Sequence, residues 1–244
     1  MSDITIRNAI LADAPRILEI YAYYIEHTVI SFEYDVPSLA EFEDRMRDIM
    51  KKYPYLVIER DGRIEGYAYA HAFVGRAAYD WAAELTIYLD HDARRGGLGR
   101  VLYEALADRL KAMGVLNLYA CIGYPQVEDE YLTKNSAQFH EHLGFTLAGT
   151  FHNCGYKFGR WYDMIWMAKS HRRAPPRPAG HRAVSILSLS EKAGASAGCT
   201  CFCFTVYPSV LCGIAACTAD NTGHVRREAA GESPAPRSCR ATAR

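Results

Sequence analysis

Residues 82–114 limit the fold more than any other stretch. An apolar, β-branched segment, "AAELTIYLD" (82–90), runs into "HDARRGGLGR" (91–100). Arg100–Met113 then repeats apolar residues at helical spacing, among them Val101, Leu102 and Leu106, and stops at Gly114. Another strand pattern follows, "VLNLYACIGY" (115–124). Strand, turn, helix and strand in that order require a sheet with helices packed on it.

The turn itself carries chemistry. A glycine-rich loop at a helix start presents backbone N–H groups and the positive end of the helix dipole, which together suit an anion. Arg94, Arg95 and Arg100 add full charges, and Gly96, Gly97 and Gly99 let a phosphate approach without a Cβ in the way. A nucleotide pyrophosphate fits this description. No Lys-Ser/Thr follows the glycines, so the loop is not a P-loop. Leu102 stands where a dinucleotide fingerprint would need its third glycine. A plain strand–helix turn is the alternative, and the flanking arginines argue against it.

Around this unit the first 170 residues alternate strands and helices. "ITIRNA" (4–9) reads as a strand, and Asp13 as the cap of a helix with Pro15 in its first turn. Ser38 and Glu41 make a capping box for a second helix. "YLVIERDGRIEGYAYAHAF" (55–73) is two strands joined by an Asp-Gly turn. "NSAQFHEHLG" (135–144) reads as helix, and "GYKFGRWYDMIWMAK" (155–169) as a strand pair or one long strand. The expected class is α+β, a mixed sheet of six or seven strands.

Composition separates this part from the rest. Up to Ser170 there are 18 Lys and Arg against 24 Asp and Glu; residues 171–244 hold 10 against 4. An acidic folded part argues against nucleic acid as a partner. Six of the eight cysteines lie in the last 74 residues, which lack sustained periodicity and are expected to be a disordered extension of a 1–170 domain. Residues 197–219 carry no charge and are long enough to cross a bilayer, but Gly, Pro, Ser, Thr and Cys dilute them, so no membrane partner is expected. "CTCFC" (199–203) lacks the second ligand pair of a zinc site, and no metal is expected. The opening residues lack an apolar signal-peptide core, so a reduced cytoplasmic protein is expected.

Arg94-x-x-Gly97-x-Gly99 resembles the pyrophosphate loop of the GCN5-related N-acetyltransferase (GNAT) superfamily. The resemblance sharpens to phosphinothricin N-acetyltransferase-like proteins through ordered blocks over residues 3–168: "YIEHTVISFEY" (24–34), "GRAAYDWAAELTIYL" (75–89), "GLGRVLYEAL" (97–106), "FHEHLGF" (139–145) and "GYKFGRWYDM" (155–164). It implies the acyl-CoA N-acyltransferase fold, with a splay between the fourth and fifth strands, 82–90 and 115–123. It implies acetyl-CoA as cosubstrate, its pantetheine on the backbone of Ile87, Tyr88 and Leu89. The pyrophosphate would lie on Arg94, Arg95, Gly96, Gly97, Leu98, Gly99 and Arg100, with Ser136 nearby.

Acetyl transfer to an amine needs a base, because the amino group is mostly protonated at neutral pH. Glu84 is a carboxylate in an apolar strand, on the face of Thr86 and Tyr88, where it must be used or paired, for instance with Arg76. In the family this position matches the catalytic glutamate. His140 matches a histidine that relays a proton or orients Glu84, with Tyr103 as reserve acid; His142 is expected at the surface. A backbone N–H near Tyr88–Leu89 would meet the oxyanion. Phe32, Arg76 and Tyr79 match the acceptor pocket, whose second basic residue is replaced by Val74. "PQVEDEYLTKNSAQFH" (125–140) is longer than the family's segment, with Thr133 at the usual asparagine position and Asn135 offset by two. A small amino-acid-like acceptor and a homodimer are implied. Acetylation of protein N-termini or lysines, and a non-catalytic coenzyme A-binding module, are the alternatives.

Overall fold

The computed structural model describes residues 3–93 and 96–171. Arg94, Arg95 and the expectations for 172–244, including residues 197–219 and 199–203, lie outside them. The elements run β1 (Ile4–Asn8), α1 (Ala14–His27), α2 (Leu39–Met50), β2 (Tyr55–Arg60), β3 (Arg63–Ala72), β4 (Ala82–Leu89), α3 (Leu98–Ala112), β5 (Asn117–Tyr124), α4 (Asn135–His142), β6 (Thr146–Lys157) and β7 (Arg160–Ser170). They form one seven-stranded sheet in the order β1-β2-β3-β4-β5-β7-β6. Every pairing is antiparallel except β4 with β5. Among the described residues no helix is long and apolar enough to cross a membrane.

Period-two alternation decides what each face does. Leu56, Ile58, Ala68, Ala70, Leu85, Leu118 and Met167 point to one face and pack with Leu102, Leu106 and Leu110 of α3. Tyr55, Val57 and Tyr67 point to the other, beneath Ile17, Phe42 and Met46 of α1 and α2. That second face is uncovered beyond β4: Cys121 is exposed, and Tyr119, Met164 and Trp166 are partly so.

The Asp-Gly turn forms with Asp61 and Gly62 both at positive φ, 51° and 80°, the twist a two-residue hairpin needs. Phe158 and Gly159 repeat it at 49° and 76° between β6 and β7, so 155–169 is a hairpin whose first strand begins earlier, at Thr146. Ser38 caps α2 as expected, its hydroxyl accepting from the Glu41 N–H at 3.3 Å. Asp13 does not cap α1. It ends a 3-10 turn that runs directly into the helix, and its carboxylate is taken by Arg7 at 2.7 and 2.9 Å and by the Ile10 N–H at 2.8 Å.

Candidate active site

The β4–β5 ladder holds for three positions only: Ala82, Ala83 and Glu84 opposite Asn117, Leu118 and Tyr119. Beyond Glu84 the strands part, and the sheet opens as a V toward their C-terminal ends. Ile87, Tyr88 and Leu89 form one arm, past the last rung. Tyr24 donates to the Leu89 carbonyl at 2.5 Å, and the Tyr88 ring lies among Tyr21, Tyr24 and Tyr67, with centroids 5.0–5.4 Å away.

Helix α3 starts at this mouth, two residues before its expected start. Gly97, at φ 76°, is its N-cap, and the first intrahelical bond runs from the Val101 N–H to the Gly97 carbonyl. The N–H groups of Leu98, Gly99 and Arg100 therefore precede the helical ladder and are left for an anion. A Cβ on Gly97 would meet nothing within 4 Å, so its glycine is required by backbone conformation. Gly99 differs from its expected role. It is buried in the first turn, and a Cβ there would meet Leu89 at 3.3 Å and Phe139 at 3.5 Å, so its bareness lets α3 pack on β4 and α4. A cleft of about 250 Å³ opens here, lined by Leu89, Ala93, Gly97–Arg100, Phe139, His142 and Leu143. His142 is exposed as expected yet lines this cleft. Ser136 is partly buried on α4, while Thr133 and Asn135 are exposed.

Glu84 is 8 % exposed, at the apex of the V. His71 lies opposite it across the β3–β4 ladder, with Nε2 3.6 Å from the carboxylate. Burial pulls the His71 pKa down, but Glu84 and the Ala72 carbonyl outweigh it, and the net shift is upward. His71 is thus the imidazole that the β-ladder sets beside Glu84. His140 is placed differently from the expected partner of Glu84. Its Nδ1 donates to the Ser136 carbonyl at 2.7 Å, so its Nε2 accepts from the Tyr103 hydroxyl at 3.0 Å. Burial lowers the His140 pKa and raises that of Tyr103, with the Glu84 charge raising the latter further. The result is a neutral imidazole holding a protonated phenol.

The expected acceptor residues lie on separate elements. Arg76 and Tyr79 are exposed on the β3–β4 connection, at the closed end of the V. Phe32 is at the open end, where a Cβ on Gly155 would clash with its ring and one on Gly123 would meet it at 3.4 Å. Its loop is fixed by a lysine: Lys157, 3 % exposed, donates to the carbonyls of Ile25 (2.7 Å), Thr28 (3.0 Å) and Ser31 (2.7 Å). The ammonium meets the negative end of α1. The longer segment 125–134 supports the same loop. Asp129 accepts from the Tyr131 and Leu132 N–H groups, the Tyr162 hydroxyl and Arg160, all within 2.9 Å. Leu132 packs on Val29 and Tyr162, and the Val29 N–H donates to the Tyr131 carbonyl at 3.1 Å.

Sequence reading missed His71, Lys157 and an aromatic floor beside Glu84, where Phe73 stacks on Tyr119 at 4.1 Å and meets Trp166 edge-on at 5.3 Å. The only early signal for His71 was the alternation Tyr67, Tyr69, His71, which places it on the sheet face of its neighbours.

The acetyltransferase (GNAT) domain family matches residues 6–166. A phosphinothricin N-acetyltransferase of Streptomyces viridochromogenes is 36 % identical, over 72 % of this chain and 92 % of its own. An L-methionine sulfoximine/L-methionine sulfone acetyltransferase of Pseudomonas aeruginosa is 32 % identical over 67 % and 92 %. A phosphinothricin acetyltransferase from Sinorhizobium meliloti, solved in complex with AcCoA, superposes with a TM-score of 0.63 at 37 % identity, covering 68 % of this chain and 88 % of that one. A ribosomal-protein-alanine N-acetyltransferase from Brucella melitensis superposes with a TM-score of 0.63 at 31 % identity, covering 68 % and 99 %.

Proposed function

The chain belongs to the GNAT acetyltransferase family and is an acetyl-CoA-dependent acyltransferase, and from that premise we propose that it acetylates the amino group of a small amino-acid-like acceptor such as phosphinothricin or methionine sulfone, with Glu84 as general base. The observation that carries this reading is the position of Glu84. It is a buried carboxylate on the last rung before the strands part, where a thioester entering from the glycine end and an amine entering over Tyr119 would meet.

The chain's own groups divide the work. The N–H groups of Leu98, Gly99 and Arg100, with Gly96 and Gly97, fit the coenzyme pyrophosphate; Arg94, Arg95 and Ser136 are proposed to join them. The backbone of Ile87, Tyr88 and Leu89 is offered to the pantetheine arm and, near Tyr88–Leu89, to the oxyanion. Glu84 removes the ammonium proton. Tyr103, its hydroxyl directed by His140, is the acid available to the departing thiolate. Phe32, Arg76 and Tyr79 are assigned to the acceptor, Arg76 for a carboxylate or phosphinate. The catalytic domain is placed at 1–170. The described cysteines, Cys121 and Cys154, are free, which suits the reducing cytoplasm. A homodimer is proposed because the β6–β7 edge exposes Leu147 and Trp161 at 62 % each and Phe151 at 51 %. Light scattering on the full chain tests it.

Acetylation of a peptide N-terminus is the second reading, favoured by the likeness to the Brucella protein. Acetyl-CoA-dependent thiol release over a panel of phosphinothricin, methionine sulfone, methionine sulfoximine, free amino acids and alanyl and lysyl peptides separates the two. Turnover of the small acceptors upholds the proposal, turnover of peptides alone replaces it, and no turnover leaves a coenzyme-binding module.

A further inference from the structure

The ammonium proton must leave the site after Glu84 has taken it, and Glu84 has little access to water. The sheet register sets two titratable side chains beside it, Tyr119 across the parallel rung to β5 and His71 across the antiparallel ladder to β3. His71 and Glu84 are cross-strand partners in the β3–β4 ladder, with Nε2 and a carboxylate oxygen 3.6 Å apart. The His71 Nδ1 lies 3.2 Å from the Ala72 carbonyl. A carbonyl only accepts, so Nδ1 carries the hydrogen, and Nε2, facing Glu84, is the nitrogen that gains or loses a proton. The imidazole side chain is 27 % exposed against 10 % for Glu84, so it reaches from the carboxylate toward solvent.

We propose that His71 and Glu84 act as one base, Glu84 taking the proton from the acceptor ammonium and His71 passing it to solvent. In that sequence the ammonium N–H bond breaks and a Glu84 O–H bond forms. The proton then moves to His71 Nε2, across a small side-chain rotation or one water, and the imidazolium releases it to bulk water. The freed nitrogen lone pair is left to attack the thioester. His71 must start neutral, because a proton already held between the two groups removes the pair's basicity.

The other titratable groups around the pair do not compete near neutral pH. The Glu84 charge acts on Tyr69 of β3, Tyr103 of α3 and Cys121 of β5; burial raises all three, the Cys121 thiol to about 12. His71, by contrast, is shifted upward from its ordinary value despite its burial, because the Glu84 carboxylate beside it favours the imidazolium.

The proposal rests on Glu84 being the base, and the test separates the two claims. The His71 imidazole is titrated by NMR in the full chain, wild type and Glu84→Gln. In parallel, kcat/KM is followed against pH in wild type and His71→Asn with an acceptor from the panel. The variant is expected to lose on the order of tenfold at the alkaline end of the rise. Its deficit should narrow as pH falls, because wild type loses activity as His71 gains its proton. Glu84→Gln should lower the His71 pKa, and acetyl-CoA affinity should be unchanged in both variants. An active wild type whose His71 titration ignores Glu84→Gln, or a His71→Asn deficit constant at every pH, overturns the proposal alone. A wild type inert toward every acceptor sinks the reading beneath it.

Discussion

On the proposed coenzyme side of the V the groups on offer are backbone: first-turn N–H groups of α3, glycines at positive φ, and strand positions past the last rung of β4. On the proposed acceptor side the structure is held by side chains far apart in sequence. Lys157 holds carbonyls more than 120 residues away, Asp129 ties the 125–134 segment to β7, and His71 meets Glu84 across a ladder. Backbone recognition tolerates exchange of most side chains and fails when conformation is denied. Side-chain recognition fails one residue at a time. The first suits a ligand shared by many enzymes, the second an acceptor that distinguishes them.

The largest expected effect lies at the junction of the two sides. Glu84→Gln keeps the shape of the carboxylate and should lower kcat/KM by ~10²–10⁴ at neutral pH, the usual scale of losing a general base. Acetyl-CoA affinity by calorimetry should be preserved, and alkaline pH, which supplies free amine, should narrow the gap. Wild-type activity across pH would make Glu84 a structural partner of His71.

Next comes the acceptor-side clamp. Lys157→Met removes three donated hydrogen bonds from buried carbonyls, each worth about 1–3 kcal/mol when left unmet. With about 2–4 °C lost per kcal/mol in a domain of this size, Tm should fall by roughly 6 °C or more. The acceptor KM should rise while acetyl-CoA Kd holds; equal losses on both sides would erase the distinction between them.

The smallest effect belongs to the coenzyme side. A Cβ at Gly97 meets nothing within 4 Å, so the cost of Gly97→Val is set by the left-handed backbone, about 1–2 kcal/mol. Saturating acetyl-CoA should raise wild-type Tm by linkage and leave that of the variant unmoved. An unchanged ligand-induced rise would show that the loop does not depend on this conformation.

The same contrast explains what was legible in the sequence. Gly96 and Gly97 are local, so a short window reveals them, although it set the start of α3 two residues late. Glu84 was visible as a charge in an apolar run. The neighbour of Glu84 was not, because the β3–β4 connection is long and its length does not set the register of His71. Lys157 looked like one cation in a hairpin, since nothing local reveals that α1 ends above it. Residues 146–154 lacked a strand signal because β6 is an edge strand with nearly every residue exposed there. Gly99 was assigned to phosphate approach, when only the packing of Leu89 and Phe139 shows what its missing side chain is for.

The three-rung ladder between β4 and β5 also bears on how this protein can be improved. Substitutions that let the strands pair further would make the free protein more robust, and they would do so by occupying the gap proposed for the pantetheine arm. Selection for thermal tolerance alone would therefore drift toward a closed, inactive sheet. Selection in the presence of acetyl-CoA, or for turnover, would penalise that solution and direct the gains to positions remote from the seam.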